Sequence, residues 1–309
     1  MNDPRQRRLL VLSLATVYLV WGTSYLATRV GVLHLPPLLF AGVRFLISGV
    51  LLMGVAFWRG FSIRQLDGHW GHLLMMSLLG VSVCNGLQVW AMQWVPSHTG
   101  ALLNASSALW IVIFGLFGAR SHRPETRAIA GLVIGFIGTV LLVWPAHQFT
   151  GAAAPAVATV TPLVPQLVIL LACIVWSLGT IYMRNHSVKM DIFTMLGVQM
   201  LMGGLMLAVA GLLHGELHDW NWSRPGLLSL AYLVVFSSCF AYVAYAWLAR
   251  HATPAVVGTY SYVNPALAAL VGYVGLGERL TALQAAGALV ILAGVLLINW
   301  PTRGTIQAF

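Results

Sequence analysis

Charged side chains are scarce in this sequence. Asp, Glu, Lys and Arg together make up 7% of its 309 residues, whereas a soluble domain carries about 25%. Hydrophobic residues make up 59%. This balance excludes a water-soluble globular domain and predicts an all-α integral membrane protein surrounded by the lipid bilayer.

Cysteine is scarce as well. The chain has three, Cys84, Cys173 and Cys239. All of them fall within apolar stretches, which argues against a disulfide framework or a closed zinc site. We interpret them as small packing residues, and we expect neither a metal nor another cofactor.

Acidic residues are absent from the middle of every apolar stretch. The chain also has neither an HExxH helix nor a GxSxG turn, so a membrane-embedded enzyme is not expected. Antiporters generally use a buried Asp or Glu to exchange an ion for the substrate, and the absence of such a residue favours a facilitator. Unwound backbone carbonyls can also bind ions, which leaves coupling to an ion open.

Long apolar runs are what the chain has in abundance. A helix needs about 20 apolar residues to cross roughly 30 Å of hydrocarbon, and ten such stretches can be placed along the sequence. They cover residues 9–28, 37–57, 71–94, 98–118, 127–145, 166–183, 192–213, 226–249, 254–276 and 282–300.

The net charge of +9 is explained by where the basic residues lie. With ten spans, twelve basic residues fall on the side of the N-terminus, and only Arg29, Arg224 and Arg279 fall on the other side. Basic residues concentrate on the cytoplasmic side of membrane proteins. We therefore expect both termini in the cytoplasm, with the chain crossing the membrane many times, and no nucleic-acid partner.

The chain contains an internal repeat. Glycines recur at a shift of 155 or 156 positions. The matched pairs include Gly42/Gly197, Gly49/Gly204, Gly131/Gly287 and Gly138/Gly294. Five spans per copy is an odd number, so the second copy must cross the membrane in the opposite orientation, as in inverted-repeat transporters. We predict a first five-helix repeat at 1–145, an external linker at 146–165 and a second five-helix repeat at 166–309.

Two stretches carry a family resemblance. The segment VWGTSYLATRVGVLHLPPLLFAGVRFLISGVLL resembles the start of the EamA family, within the drug/metabolite transporter superfamily, in its Trp-Gly pair, Pro-Pro turn and Arg-Phe pair. The segment PAVVGTYSYVNPALAALVGYVGLGERLTALQAAGALVILAGVLL is similar to the closing two helices of that family, including the Gly-Glu-Arg turn at Gly277 to Arg279. The resemblance implies ten helices, cytoplasmic termini, a central cavity and export of amino acids or other small metabolites. The counterpart of this turn in the first half reads Ser121, His122, Arg123 and lacks the carboxylate.

Two tryptophans near the middle of predicted spans indicate a cavity wall. Trp21 and Trp176 occupy equivalent positions in the first and sixth spans, whereas most membrane tryptophans lie at the headgroup level. Tyr18, Trp21 and Tyr25 share one face of a helix. A buried tryptophan needs a partner for its indole N–H, which a cavity can supply. The alternative is packing of Trp21 against a neighbouring helix beside Gly22.

Neutral polar side chains in other spans are expected to face the interior of the bundle, because amides are costly in lipid. The candidates for substrate binding are Trp21, Tyr25, Asn85, Gln88, Asn104, Ser107, Trp176, Tyr242, Tyr245, Tyr260 and Asn264. Hydrogen bonding between helices is the alternative role of the amides. A wall of aromatic faces and neutral polar groups suits a neutral or zwitterionic amphipathic solute.

Arg44 is a basic residue in the middle of the second span. In one interpretation it donates hydrogen bonds to carbonyls of a broken helix or loop and fixes the second span. In the other it attracts a substrate carboxylate, because intramembrane charges are functional hypotheses by default. The ten histidines lie in loops or at span ends, and we expect His98 and His251 to be interfacial residues at helix starts.

The sequence therefore predicts a monomeric transporter, with a small-molecule substrate and no catalytic activity. It would export neutral or aromatic amino acids, or similar small amphipathic metabolites, across the inner (plasma) membrane of a bacterium, by alternating access as a facilitator. The alternative is a broad drug or metabolite exporter, with or without coupling to protons. A channel or a scaffold is a further possibility, since spacings such as that of Gly131 and Gly135 support helix packing by themselves.

Overall fold

The computed structural model describes residues 4–115, 126–143, 163–186, 190–252, 256–257, 259–279 and 281–299. Within these ranges the chain is helical and has no strand, which confirms the all-α class. The long helices are α1 Pro4–Val32, α2 Pro37–Trp58, α3 Trp70–Ala91, α4 Ser97–Phe114, α5 Thr126–Val143, α6 Leu163–Asn185, α7 Ile192–Leu213, α8 Arg224–His251, α9 Tyr260–Leu276 and α10 Ala282–Asn299.

Seven of these helices, α1 to α4 and α6 to α8, are long and apolar enough to cross a membrane. The helices α5, α9 and α10 contain shorter apolar stretches, Ile129–Leu141, Val263–Leu276 and Ala282–Leu297. They overlap the predicted spans 127–145, 254–276 and 282–300, each of which lies partly outside the described residues. The number of ten spans therefore stays a prediction.

The duplicated glycines lie where helices approach most closely. The helix α2 packs along α7, and a Cβ atom on Gly204 would stand 2.8 Å from the backbone N of Leu46. The helix α5 packs along α10 in the same way, and a Cβ atom on Gly294 would stand 2.5 Å from the backbone N of Gly135. Such contacts require a residue without a side chain. Each of these pairs joins a helix to its own copy in the sequence repeat, which explains why the glycines recur.

Two π-helical segments interrupt α3 and α8 at matching positions. They cover Leu78–Val83 in α3 and Leu233–Ala241 in α8, and their first residues are related by the shift of 155 positions. Such bulges are frequent at functional sites. Asn85 and Tyr242 follow within two residues of the segments, and both face the cavity described below.

Carboxylates cap the starts of two helices. The side chain of Asp191 accepts two backbone N–H groups in the first turn of α7, the usual role of an N-cap residue. Glu216, in the turn after α7, accepts hydrogen bonds from the backbone N–H groups of Leu38 and Leu39 at 3.2 and 2.7 Å, at the start of α2. A negative group is favourable at the positive end of the helix dipole. The turn after α7 thereby stabilises the start of α2.

The helix α6 begins at Leu163, before the predicted span 166–183, so Pro165 belongs to the first turn of a helix. Proline is tolerated there because its missing N–H would have no partner within the helix. Residues 144–162 lie outside the described residues, and the division into two repeats with a linker stays a prediction.

Candidate functional site

A cavity lies between helices of both halves of the chain. It has about 810 Å³ of space free of protein atoms, counted out to its mouth and including the solvent there. Every candidate residue predicted from the sequence lines this cavity except Tyr245. Residues that the sequence did not single out for binding also line it: Ser24, Thr28, Cys84, Ser237 and Ser261.

Trp21 of α1 is the centre of an aromatic cluster in the cavity wall. The centroid of its ring lies 5.4 Å from that of Tyr242, 5.5 Å from that of Tyr260 and 6.4 Å from that of Trp176. The rings meet edge to face, an arrangement that contributes about 0.5–1.5 kcal/mol per pair beyond the buried area. The cluster joins α1, α6, α8 and α9, and it brings the two repeat-related tryptophans to the same cavity.

Tyr245 lies behind this wall. Its ring centroid is 5.0 Å from that of Trp21 and 5.9 Å from that of Tyr260, and the residue is 9% exposed. Among the described residues it is the one sequence candidate that does not line the cavity. Its contacts show that it supports the position of Trp21.

The cavity face of α1 differs from the predicted one. The residues of α1 that line the cavity are Trp21, Ser24, Tyr25 and Thr28, which follow the helical spacing i, i+3, i+4 and i+7. Tyr18 instead forms a hydrogen bond with the hydroxyl of a threonine just before α9. The same spacing, applied to small hydroxyl residues as well as to aromatic ones, would have identified Ser24 and Thr28.

The amides and hydroxyls of the cavity wall are only partly paired. The Nδ2 atoms of Asn85 and Asn104 lie 3.4 and 3.3 Å from backbone carbonyls, at or beyond the long end of the usual range. Ser107 Oγ and Asn264 Oδ1 have no hydrogen-bond partner among the described residues. An unpaired buried polar group is costly, so these residues are suited to bond a solute that enters the cavity. That they bind a substrate stays a prediction.

Arg44 of α2 belongs to the same wall and is 5% exposed. Its Nε donates a hydrogen bond to Ser238 Oγ at 2.9 Å, and its Nη2 donates one to Ser237 Oγ at 3.0 Å. Both serines belong to the π-helical segment of α8. The partners are therefore side-chain hydroxyls and not the carbonyls expected from the sequence. Of the cavity-lining residues in the described ranges, Arg44 alone carries a charge.

Glu278 joins the turn after α9 to the start of α4, away from the cavity. Its carboxylate accepts hydrogen bonds from the backbone N–H and the hydroxyl of Ser97, at 2.9 and 2.7 Å, and it lies 2.9 Å from Nδ1 of His98. Burial by itself would raise the pKa of Glu278. The hydrogen bonds from His98 and Ser97 outweigh burial and lower the pKa from 4.5 to about 2.

Both histidines expected at helix starts differ from that expectation. His98 does start a helix, but it is 2% exposed and is the buried partner of Glu278. His251 is exposed and is the last residue of α8.

The first-half counterpart of the Gly-Glu-Arg turn, residues 121–123, lies outside the described residues. In the part of the chain that the structure describes, no group of three or more His, Cys, Asp or Glu side chains is placed to hold a metal ion.

Comparison with known proteins gives the family. Residues 8–144 and residues 164–300 each match the model of the EamA-like transporter family. The chain belongs to this family. The match confirms the resemblance of the two quoted segments, and it shows that the chain is a membrane transporter in which two segments match the same family model.

Individual relatives in the EamA-like group are transporters by name. The chain is 33% identical over 303 residues to the uncharacterized inner membrane transporter YedA of Escherichia coli strain K12, with 96% of this chain and 92% of YedA covered. It is 27% identical over 302 residues to the uncharacterized transporter YvbV of Bacillus subtilis strain 168, with 97% and 94% covered. A solved crystal structure has the same fold, with a TM-score of 0.65 at 21% identity, and the match covers 94% of this chain and 96% of that chain.

Proposed function

We propose that the protein exports neutral or aromatic amino acids, or similar small amphipathic metabolites, from the cytoplasm. The observation that carries this proposal is the composition of the cavity wall. Its aromatic cluster offers a surface for an apolar side chain, while its amides and hydroxyls offer partners for polar groups. Small-molecule sites combine aromatic and apolar surface with placed polar groups.

Alternating access between two oppositely oriented repeats would open such a cavity to either side of the membrane. In this arrangement the chain crosses the bacterial inner membrane ten times, five times per repeat, with both termini in the cytoplasm. Support comes from the matching π-helical segments, from the recurrence of glycines between α2 and α7, and from the description of YedA as an inner membrane transporter.

Two further features belong to the proposal. The described cavity wall holds no carboxylate that could exchange a proton for the substrate, which favours a facilitator. Helices from both halves of one chain line the cavity, so a monomer can form the transport path without a partner chain.

The test is efflux from proteoliposomes preloaded with single labelled amino acids, measured with and without a pH gradient. We expect saturable efflux of particular amino acids without a gradient. Trp21→Ala should reduce it by about tenfold or more, since the side chain contributes about 1.5–3 kcal/mol of contact. Trp222→Ala is the matched control, because Trp222 is exposed outside the cavity and its loss should leave efflux unchanged.

Each other outcome contradicts a stated part of the proposal. Efflux that requires a pH gradient would refute the facilitator mechanism. Flux that does not saturate would indicate a channel. Absence of flux for every amino acid would refute the substrate class and favour a broad drug or metabolite exporter.

A further inference from the structure

Arg44 brings a positive charge without a counter-charge to the cavity wall. The ion pairs found in the described part of the chain join Arg59 to Asp191 and His98 to Glu278, and Arg44 takes part in neither. All seven Asp and Glu residues of the sequence lie outside the predicted spans. The partners of Arg44 in the described residues are neutral: two serine hydroxyls and the ring of Phe45, whose centroid lies 4.7 Å from Cζ. A buried charge without a counter-charge is unfavourable. An anionic group in the cavity would therefore be favoured beside Arg44.

The two serines orient the guanidinium and leave part of it unused. A guanidinium has five N–H donors in a fixed fork. Ser238 accepts a hydrogen bond from Nε and Ser237 accepts one from Nη2, while no hydrogen bond from Nη1 is found among the described residues. The end of the guanidinium that carries Nη1 and Nη2 therefore remains available to donate hydrogen bonds to a solute. Two parallel N–H groups in this geometry match the two oxygens of a carboxylate.

The equivalent residue in the other repeat argues against a purely structural role. Gln199 occupies the position that corresponds to Arg44 after the shift of 155. Its Nε2 lies 3.3 Å from Sδ of Met76, just before the π-helical segment of α3. A neutral side chain thus makes the corresponding link between helices. Gln199 does not line the described cavity, whereas Arg44 does, so the positive charge is found in the copy that faces the cavity.

The charge lies next to the aromatic wall. Phe45 follows Arg44 in the sequence, and its ring centroid is 6.3 Å from that of Tyr242 in an edge-to-face arrangement. Tyr242 in turn contacts Trp21. A solute with a carboxylate close to an apolar or aromatic group can therefore contact both features at once.

We propose that Arg44, held by Ser237 and Ser238, binds the carboxylate of the transported solute, while Trp21 and Tyr242 contact its apolar part. This inference rests on the proposed function, because it assigns one group of the same substrate. The cavity then selects acids and zwitterions that carry a free carboxylate. It discriminates against amides, esters and lipophilic amines of the same shape.

The test measures binding to the purified full-length protein in detergent, by titration of tryptophan fluorescence. The probes are two matched pairs: L-phenylalanine with L-phenylalaninamide, and 3-phenylpropionate with 3-phenylpropionamide. We expect the wild type to bind each acid about 10- to 100-fold more tightly than its amide, as for hydrogen bonds to a charged group. Arg44→Gln should abolish this preference and Arg44→Lys should keep part of it.

Arg250→Gln is the matched control. Arg250 also donates a hydrogen bond from Nη2, at 3.0 Å to the carbonyl of Met190, and it does not line the described cavity. The preference for acids should be unchanged in this variant. Arg250 lies in the last turn of α8 and is exposed. Loss of the preference there would show that the preference does not depend on the charge of Arg44 in particular, and would overturn the assignment to Arg44.

Equal affinity of the wild type for acid and amide would overturn the inference without the need for any variant. Failure of both acids to bind, or an unchanged preference in folded Arg44→Gln protein, would do the same. The efflux assay separates this inference from the proposed function. If acids bind more tightly than amides because of Arg44, but no amino acid is exported, the proposed substrates are refuted and the role of Arg44 in binding a carboxylate is supported. If amino acids are exported, but acids and amides bind equally well, the proposed function is supported and the role of Arg44 is overturned.

Discussion

Replacing Glu278 with Gln should weaken the contact between the turn after α9 and the start of α4. The carboxylate accepts hydrogen bonds from Ser97 and from the backbone N–H of His98, and it lies beside the imidazole of His98. The amide of glutamine keeps the size of the side chain but has a single acceptor oxygen. Its NH₂ group would face the N–H and O–H donors of Ser97 and His98, so it could not accept their hydrogen bonds. The first turn of α4 also loses a negative group that complements the helix dipole.

The magnitude follows from the pKa of Glu278. Its decrease from 4.5 to about 2 corresponds to roughly 3 kcal/mol at 1.36 kcal/mol per unit. Screening by water at the end of the helix bundle reduces this to about 2 kcal/mol. Because the pKa in the folded state is below the unfolded value, the stabilisation is fully present above about pH 4.5 and is lost as the pH falls toward 2.

Thermal unfolding of the purified protein in detergent measures this effect. Glu278→Gln should lower the melting temperature by about 4–8 °C at pH 7, whereas Asp219→Asn, at an exposed acidic residue, should change it little. The difference between wild type and Glu278→Gln should shrink as the pH falls from 4.5 to 3. A variant that melts together with the wild type at pH 7, or a difference that is as large at pH 3 as at pH 7, would refute the reasoning.

Three further substitutions test the packing, the aromatic wall and a helix cap. Gly204→Ala puts a Cβ atom 2.8 Å from the backbone of α2 and should destabilise the protein by about 1–3 kcal/mol. The control is Gly54→Ala, whose Cβ atom meets nothing within 4 Å and should not destabilise the protein. Equal melting temperatures of the two variants would contradict the close packing of α2 and α7. Trp21→Phe keeps an aromatic ring and should reduce the initial rate of efflux less than Trp21→Ala, and equal losses would show that the ring itself does not contact the solute. Glu216→Gln removes the charge that caps α2 and should cost about 1 kcal/mol in thermal unfolding, and an unchanged melting temperature would show that the cap does not stabilise α2.

The positions of the helices were largely predictable because their limits are marked in the sequence. The second span, predicted at 37–57, is the helix Pro37–Trp58. Proline at the first helical position and a glycine just beyond the end are the usual limits of a helix, and Pro37 and Gly60 provide them. The start of α6 is less predictable, because proline is common in linkers and is also favourable in the first turn of a helix, where Pro165 lies.

The faces of α3 and α8 were harder to predict than their positions. From the spacing of an α-helix, Ser238, Tyr242 and Tyr245 share one face. The π-helical segment Leu233–Ala241 interrupts the spacing between Ser238 and Tyr242, and Ser237 lines the cavity with Tyr242 in place of Ser238. A π-helical turn depends on which backbone carbonyl each N–H bonds, and no residue type in LVVFSSCFA specifies that choice. The partners of Arg44 depend on the same turn, so they could not be derived from the sequence either.

The two copies agree where helices pack and differ where charged groups act. The glycines between α2 and α7 recur, but Arg44 is matched by Gln199 and Glu278 by His122. Two identical halves in opposite orientation would give states open to either side with equal energies. In such an arrangement, the link that Glu278 makes between the turn after α9 and the start of α4 would favour one of these states, because its counterpart is not a carboxylate. A solute bound to Arg44 would have a fixed orientation in the cavity, because the guanidinium faces it from one copy. The symmetric residues thus provide the packing, and the residues that break the symmetry are those expected to control transport.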